Sequence, residues 1–441
     1  MPPTAGIGIK VPEILLPKPG LDFNKWAVIA CDQFTSEPEY WEKVASIVGD
    51  APSTYHLILP EVYLDTPQEE NRIKSNQKAM RTYLNAGMFR KVKDFIYVLR
   101  TINGRTRRGL MVCLDLEHYD FRKGAQTLIR ATEGTILERL PPRIQIRKDA
   151  YLECPHILVL FDDPNDTVFG PVDEHIETCE RLYDFDLMLG SGHLSGIRLN
   201  DAAVKNQILT DLEALIEPET FAEKYNLKPS SYPPLLFAMG DGNHSLATAK
   251  SIWEEIKPVV GMNHPARYAL VEIENVHDPA LTFKPIHRLL FHLNQDIEQA
   301  MRAHWQDQLK ITELPDQASM HRIIDESNVI WHQFGLITHS GPKLIEVYNP
   351  QDNLPVGTLQ KFLDNFFEQE GAEKIDYVHG TQVLEEVGQI SGNAGFYVPA
   401  MDKSELFKTV ILDGALPRKT FSMGEAREKR FYLECRRIQN P

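Results

Sequence analysis

The sequence predicts a mixed α/β or α+β fold, a mixed sheet with flanking helices and a further α+β region toward the C-terminal end. Three observations carry this. Strand-like and helix-like patterns interleave along the chain instead of segregating. Asn103-Gly104 stands between two strand-like runs, a strong signal for an antiparallel hairpin. The apolar run Leu235-Leu236-Phe237-Ala238 passes through Met239-Gly240-Asp241-Gly242-Asn243-His244-Ser245 directly into a helical pattern.

The elements follow in order. Residues 95–100 and 110–116 are the hairpin strands around Asn103-Gly104. Residues 156–161 form an apolar run that stops at the turn Asp162-Asp163-Pro164-Asn165. Asn200-Asp201 can cap a helix from Ala202 to about Ile216. In the helix after Ser245, Leu246, Ala249, Ile252, Trp253 and Ile256 share one face, while Glu254, Glu255 and Lys257 share another. Such a face packs on a sheet and fixes the turn before it. Past residue 300 come helices over 297–309 and 319–326, and a hairpin of 334–338 with 344–348 around Ser340-Gly341. A helix over 356–370, a strand over 395–398 and a helix from Ser404 complete the chain. The expected division is a core domain over 1–300 carrying the strand–turn–helix, and an α+β domain over 301–441 that returns a basic motif to the same cleft.

The composition bounds the function. The 441 residues include 42% hydrophobic and 25% charged residues, enough for a substantial core. A formal net charge of −15 weighs against broad binding to nucleic acid or anionic membranes. No apolar run is long enough to span a bilayer, and residues 1–6 lack the basic and apolar regions of a signal peptide, so a cytoplasmic protein is expected. The five cysteines are scattered without a CxxC pair, which reads as reduced thiols. There is no GxxxxGK[ST] and no HExxH. Residues 190–196 are one residue too long for GxGxxG, which rejects a Rossmann site; zinc and NAD are not expected.

The turn at 240–245 is the first candidate site. Gly240 and Gly242 allow unusual backbone angles and close approach to a ligand. Asn243, His244 and Ser245 then offer side chains and amides at a helix start, where an anion docks. Asp241 could hold Mg²⁺ or act as a base, with His244 beside it. The same residues also make a plain turn and cap. A second cluster, Arg139, Arg143, Arg147 and Lys148, suits a polyanion or a solvated rim. A third places His287-Arg288 after Pro285, reaching a cleft or serving structure. A fourth, Arg418-Lys419-Thr420, is a compact anion-binding group or a basic surface turn at a helix exit. A fifth follows the run 26–30: Asp32, Glu37 and Glu39 could supply a general base or a metal carboxylate, although Ser36 and Pro38 also read as a helix cap and first turn.

Four stretches together resemble the bacterial family called domain of unknown function 1015. They are the hairpin 97–119 with Arg108-Gly109-Leu110, residues 240–249, Asp278-Pro279 through His287-Arg288, and the closing Leu416-Pro417-Arg418-Lys419-Thr420-Phe421. The family brings no assigned activity, though it is often encoded beside serine-biosynthesis enzymes. Its turn is similar to that of the ParB/sulfiredoxin-like group, which implies a ParB/sulfiredoxin-like core. That group holds a CTP-hydrolysing partition protein, an ATP-using sulfinic acid reductase and an ADP-dependent free-serine kinase, each with a polyphosphate at a strand–turn–helix. Asp241, Gly242, Asn243 and His244 match this turn. Ser245 stands where the group has Arg, so Arg139, Arg288, Arg418 or Lys419 would have to replace that donor.

The expected function is therefore a phosphate- or nucleotide-dependent phosphotransferase acting on a small hydroxy or amino acid such as serine. It would use Mg²⁺ at Asp241, Glu37 or Glu39 as the base, and ATP or ADP, with a phosphate-bearing small molecule as its partner. The alternatives are a phosphatase or other hydrolase with the same pocket, and a ParB-like nucleotide-binding regulator.

Overall fold

The computed structural model describes residues 6–135 and 140–440. The chain divides into two compact units, Met1–Leu281 with Gly424–Pro441, and Thr282–Met423. The sequence places the division near residue 300. The structure places it at 281/282 because the strand Phe283–Leu293, which lies before residue 300, pairs only with strands of the second unit. The last residues also return to the first unit.

The first unit is built on a large mixed sheet. From one edge its strands are Glu180–Asp186, His193–Leu199, Phe95–Ile102, Arg105–Asp115, Tyr268–Asn275, Leu158–Phe161, Phe237–Asp241, Ile129–Arg130 and Tyr119–Asp120, with Ile9–Lys10 added alongside Arg105–Asp115. The hairpin closes at Asn103-Gly104, both at positive φ (52° and 72°), the left-handed pair that a tight two-residue turn needs. Leu158–Phe161 runs parallel to Tyr268–Asn275 and antiparallel to Phe237–Asp241.

Alternation along these strands buries both faces. Ile96, Val98, Met111, Cys113 and Leu270 point into one core with Trp26, Trp41, Met80 and Tyr83. Phe95, Tyr97, Leu110, Val112 and Val271 point into the other with Leu212, Leu246, Ala249 and Trp253. The first core is covered by the helices Pro38–Val48 and Glu69–Asn85, the second by Ala202–Ala214 and Asn243–Val260. Asp201 caps the helix Ala202–Ala214 by accepting from Ala203 N. The helix Pro38–Val48 starts differently from the expectation: Glu37 is its cap residue and no side chain caps it.

The C-terminal segment is locked to this unit by buried charge. Arg430 donates to Glu272 and Glu434 at 2.7 Å each, and Tyr183 donates to the other oxygen of Glu434 at 2.5 Å. Arg436 binds Glu153 at 2.5 Å. Phe431–Tyr432 pairs with Val28–Ile29, and Arg436–Arg437 with Leu152–Glu153. This brings Cys154 Sγ to 3.0 Å from Cys435 Sγ, both as free thiols.

The second unit is an antiparallel sheet in the order Leu309–Glu313, Gly341–Val347, His332–Thr338, Ala394–Tyr397, Phe283–Leu293 and Ala372–His379, with Phe421–Met423 pairing the start of Phe283–Leu293. The helix Pro355–Glu368 buries Leu359, Phe362, Leu363 and Phe366 against it, with Trp305. Two histidines lie inside. His287 accepts from Val398 N at 3.2 Å and stacks on Tyr397; His332 pairs with Thr358 at 2.9 Å. Burial pushes both imidazoles down from 6.5 to about 4. The unfolded chain therefore takes up protons first. Their contribution is complete above pH 6.5 and is lost as the pH falls to about 4, at about 1.4 kcal/mol per unit for each histidine. Urea midpoints read by tryptophan fluorescence should fall between pH 7 and pH 4.5, and His332→Asn should flatten that dependence. An unchanged slope in the variant would exclude His332 as a source.

Candidate functional site

The site grows from the end of the strand Phe237–Asp241. Gly240 and Asp241 belong to the strand, and the turn itself is the single residue Gly242. Gly242 sits at φ 79°, and a Cβ there would lie 3.1 Å from both Cα and Cγ1 of Ile157. Only glycine meets both conditions, which lets the chain enter the 18-residue helix Asn243–Val260 at once. No side chain caps that helix. Its first-turn amides carry the positive end of the helix dipole. Asn243 Oδ1 is buried with no hydrogen-bond partner among the described residues. Rotating this amide by half a turn would present its NH₂ to an anion instead. His244 and Ser245 occupy the same first turn, half-buried.

Asp241 accepts from Gly242 N at 3.0 Å through one oxygen and meets Lys429 Nζ at 3.2 Å through the other. Lys429 comes from the returning C-terminal segment and is nearly buried, so the turn is supplied with a cation. The sequence looked for that cation at Arg139, Arg288, Arg418 and Lys419. Arg139 lies outside the described residues. The other three belong to the second unit and have roles there. Arg288 is fully buried and donates to Gln360 Oε1 at 3.3 Å, to Arg418 O at 3.1 Å and to Ile286 O. Arg418 pairs with Asp364 at 3.1 Å; Lys419 adopts φ 57°; Thr420 donates to Pro417 O at 2.6 Å. His287 is the core histidine described above. The basic rim over 143–148 is neutralised in place: Arg143 pairs with Glu61, Arg147 with Glu153 and Lys148 with Glu255.

Beside the turn lies a second group of polar residues. Ser245 Oγ is 3.4 Å from His156 Nε2, and His156 Nε2 is 4.0 Å from Asp32 Oδ2. On its other side His156 Nδ1 meets the Tyr432 hydroxyl at 2.8 Å. That hydroxyl already accepts from Cys31 N at 3.2 Å, so its proton is free to go to Nδ1. Neutral His156 then carries its proton on Nε2, toward Ser245 and Asp32. Burial pushes the Asp32 carboxyl up, but His156, the Gln33 amide and Lys429 outweigh it and hold the group below the ordinary carboxylate range. Asp32 is thus the carboxylate beside the histidine. Glu37 and Glu39 are exposed at the start of the helix Pro38–Val48. Burial pushes the Cys31 thiol far up, which removes it as a nucleophile.

His156, Tyr432 and Lys429 were not found from sequence. His156 opens an apolar run and has the look of a strand's first residue. Lys429 and Tyr432 lie in a segment without any motif, and only the buried anchors Arg430, Glu434 and Arg436 bring them in. Asp32 had a signal, since it directly follows an apolar run.

Among the described residues no group of three His, Cys, Asp or Glu side chains is arranged to hold a metal ion. Asp241 is a single carboxylate, which suits Mg²⁺ only where phosphate oxygens supply other ligands. No helix of the described residues is long and apolar enough to cross a membrane.

A mixed sheet covered on both faces, with a polar strand–turn–helix at the end of one strand, defines the first unit as a mixed α/β architecture. The chain belongs to the family described as "Protein of unknown function (DUF1015)", matched over residues 15–366. Curated proteins offer no match. Among solved structures the chain is similar to a conserved hypothetical protein from Pyrococcus furiosus, with 11% identity, 75% of this chain and 95% of that chain covered, and a TM-score of 0.36. It is also similar to a free serine kinase in complex with AMP (10% identity, 75% and 91% covered, TM-score 0.38) and to SbnI with a C-terminal truncation from Staphylococcus aureus (7%, 75% and 87%, 0.36).

Proposed function

We propose that the chain is a phosphate- or nucleotide-dependent enzyme, a phosphotransferase acting on a small hydroxy or amino acid. The observation that carries this reading is the contact of Lys429 Nζ with Asp241 Oδ2, 3.2 Å apart, at the uncapped start of an 18-residue helix. Phosphoryl transfer asks little covalent chemistry of a protein. It asks for donors around phosphate, a cation, and a base that orients the acceptor. The amides and Ser245 at the helix start fit the first role and Lys429 the second. Asp32, with His156, fits the third. Asp241 is the residue that would take a phosphate-bound Mg²⁺, whose chemistry is to neutralise charge on the phosphate oxygens.

Calorimetric titration of the full chain with ATP and with ADP, with and without Mg²⁺, tests the reading. Lys429→Ala is expected to weaken the nucleotide at least about tenfold, the size of one charge-assisted contact. Asp241→Ala should abolish the Mg²⁺ dependence, and Glu37→Gln should change nothing. Absence of binding, or binding indifferent to Lys429, overturns it. Phosphorus NMR separates transfer from hydrolysis: a hydrolase releases phosphate and leaves no phosphorylated acceptor.

A further inference from the structure

The polar group at Ser245 and His156 opens onto something a serine-sized substrate would not need. A pocket of about 140 Å³ in the first unit shares Cys31, His156, Ser245 and Tyr432 with the site. The rest of its lining is largely apolar: Leu57, Ile58, Leu59, Met80, Ile146 and Leu152. Cys31 adds a neutral thiol to that lining. A volume of about 150 Å³ is enough to hold a benzene ring. The side chain of serine has one carbon and would leave this volume empty. Each methylene buried there is worth about fourfold in affinity.

The pocket also carries two matched pairs of charges, Arg147 with Glu153 and Arg143 with Glu61. Arg143 and Glu61 line it and are bound to each other, with side chains about one-fifth exposed. An ion pair reached by solvent can exchange its partners for the carboxylate and ammonium of a zwitterion at little net cost.

We propose that this pocket is the acceptor subsite, and that its ligand is a hydroxylated zwitterion with an apolar body the size of a benzene ring. The apolar body fills the pocket, the charged ends meet Arg143 and Glu61, and the hydroxyl faces His156 and Ser245. The word acceptor rests on the phosphoryl-transfer reading above; the recognition of the apolar body does not.

The probes are phenylserine, which adds a phenyl ring to the serine skeleton, and L-serine itself. Both are titrated calorimetrically into the full chain without nucleotide. Phenylserine is expected to bind at least tenfold more tightly than serine. Ala150→Trp, which fills the pocket, should cost phenylserine at least tenfold and leave serine unchanged. Ile146→Phe places a smaller addition at a half-buried position, keeps the comparison available if the tryptophan disturbs folding, and should act in the same direction. Arg143→Gln should weaken both ligands. Equal affinity for the two probes, or phenylserine binding that survives both filling variants, overturns the proposal. Phenylserine binding that responds to the filling variants, in a protein that binds no ATP or ADP, retains the pocket and discards the phosphoryl-transfer reading alone.

Discussion

Arg430→Met is expected to lower the free energy of unfolding by about 3–5 kcal/mol, the cost of leaving buried carboxylates without their cation. Arg430 is 4% exposed, Glu272 3% and Glu434 1%, so water cannot take over the lost contacts. The guanidinium satisfies more than the two acids. It also donates to Pro155 O at 3.0 Å and Phe431 O at 2.7 Å, so its removal leaves two carbonyls short of a donor. Burial and packing act together here. Gly109 leaves the space that Glu272 fills, since a Cβ there would stand 2.1 Å from Glu272 Oε1. Urea denaturation at pH 7 measures the loss. Adding Glu272→Gln and Glu434→Gln to Arg430→Met should recover part of it, since neutral amides are cheaper to bury than unpaired charge. A loss under about 1 kcal/mol would mean the carboxylates find water or protons, and that charge does not hold the segment in place. Because Lys429 and Tyr432 flank Arg430 closely in sequence, the same substitution should also loosen the site.

This explains which parts of the chain can be read from sequence. The hairpin at Asn103-Gly104 and the passage from Phe237 into the helix Asn243–Val260 are local events: a glycine at positive φ and a change of hydrophobic period sit side by side in the chain. The apolar face with Leu246, Ala249 and Trp253 is equally local, and it packs as its spacing requires. The return of the last residues is not local. Lys429-Arg430 and Glu434 look like solvated charge until their partners Asp241, Glu272 and Tyr183 are known. His287-Arg288 misleads in the opposite way. Two polar residues after a proline read as a site, yet Phe283–Leu293 is buried on both faces over residues 286–290, where Gln360 and Val398 N bond Arg288 and His287. The carboxylate near the histidine shows a third limit. A linear reading offers Asp32, Glu37 and Glu39 and favours Glu37 or Glu39 as the base, whereas the fold sets Asp32 beside His156.

That last distinction gives the largest expected effect on activity. Asp32→Asn should lower turnover by about 10²–10⁴, the usual worth of a positioned acid–base group, while nucleotide affinity stays within a few-fold. Asparagine keeps the shape and the contact with Gln33, which is 3.0 Å from Asp32 Oδ1, so the pocket should remain formed. What it removes is the charge that orients an acceptor hydroxyl. Glu37→Gln and Glu39→Gln, at exposed positions, should leave turnover unchanged. The pH profile supplies an independent check. A base must be deprotonated, and Asp32 is held below the ordinary carboxylate range once burial is outweighed by His156, Gln33 and Lys429. Its acid limb therefore lies below the ordinary carboxylate range, and turnover should not decline between pH 7 and pH 5 on its account. Lys429→Ala removes one of the charges that holds it down, so that limb should move upward. Phosphorus NMR of ATP or ADP with phenylserine or L-serine follows the reaction. Equal losses in Asp32→Asn and Glu37→Gln, or a limb that stays in place without Lys429, would remove Asp32 from the chemistry and leave it a structural partner of His156.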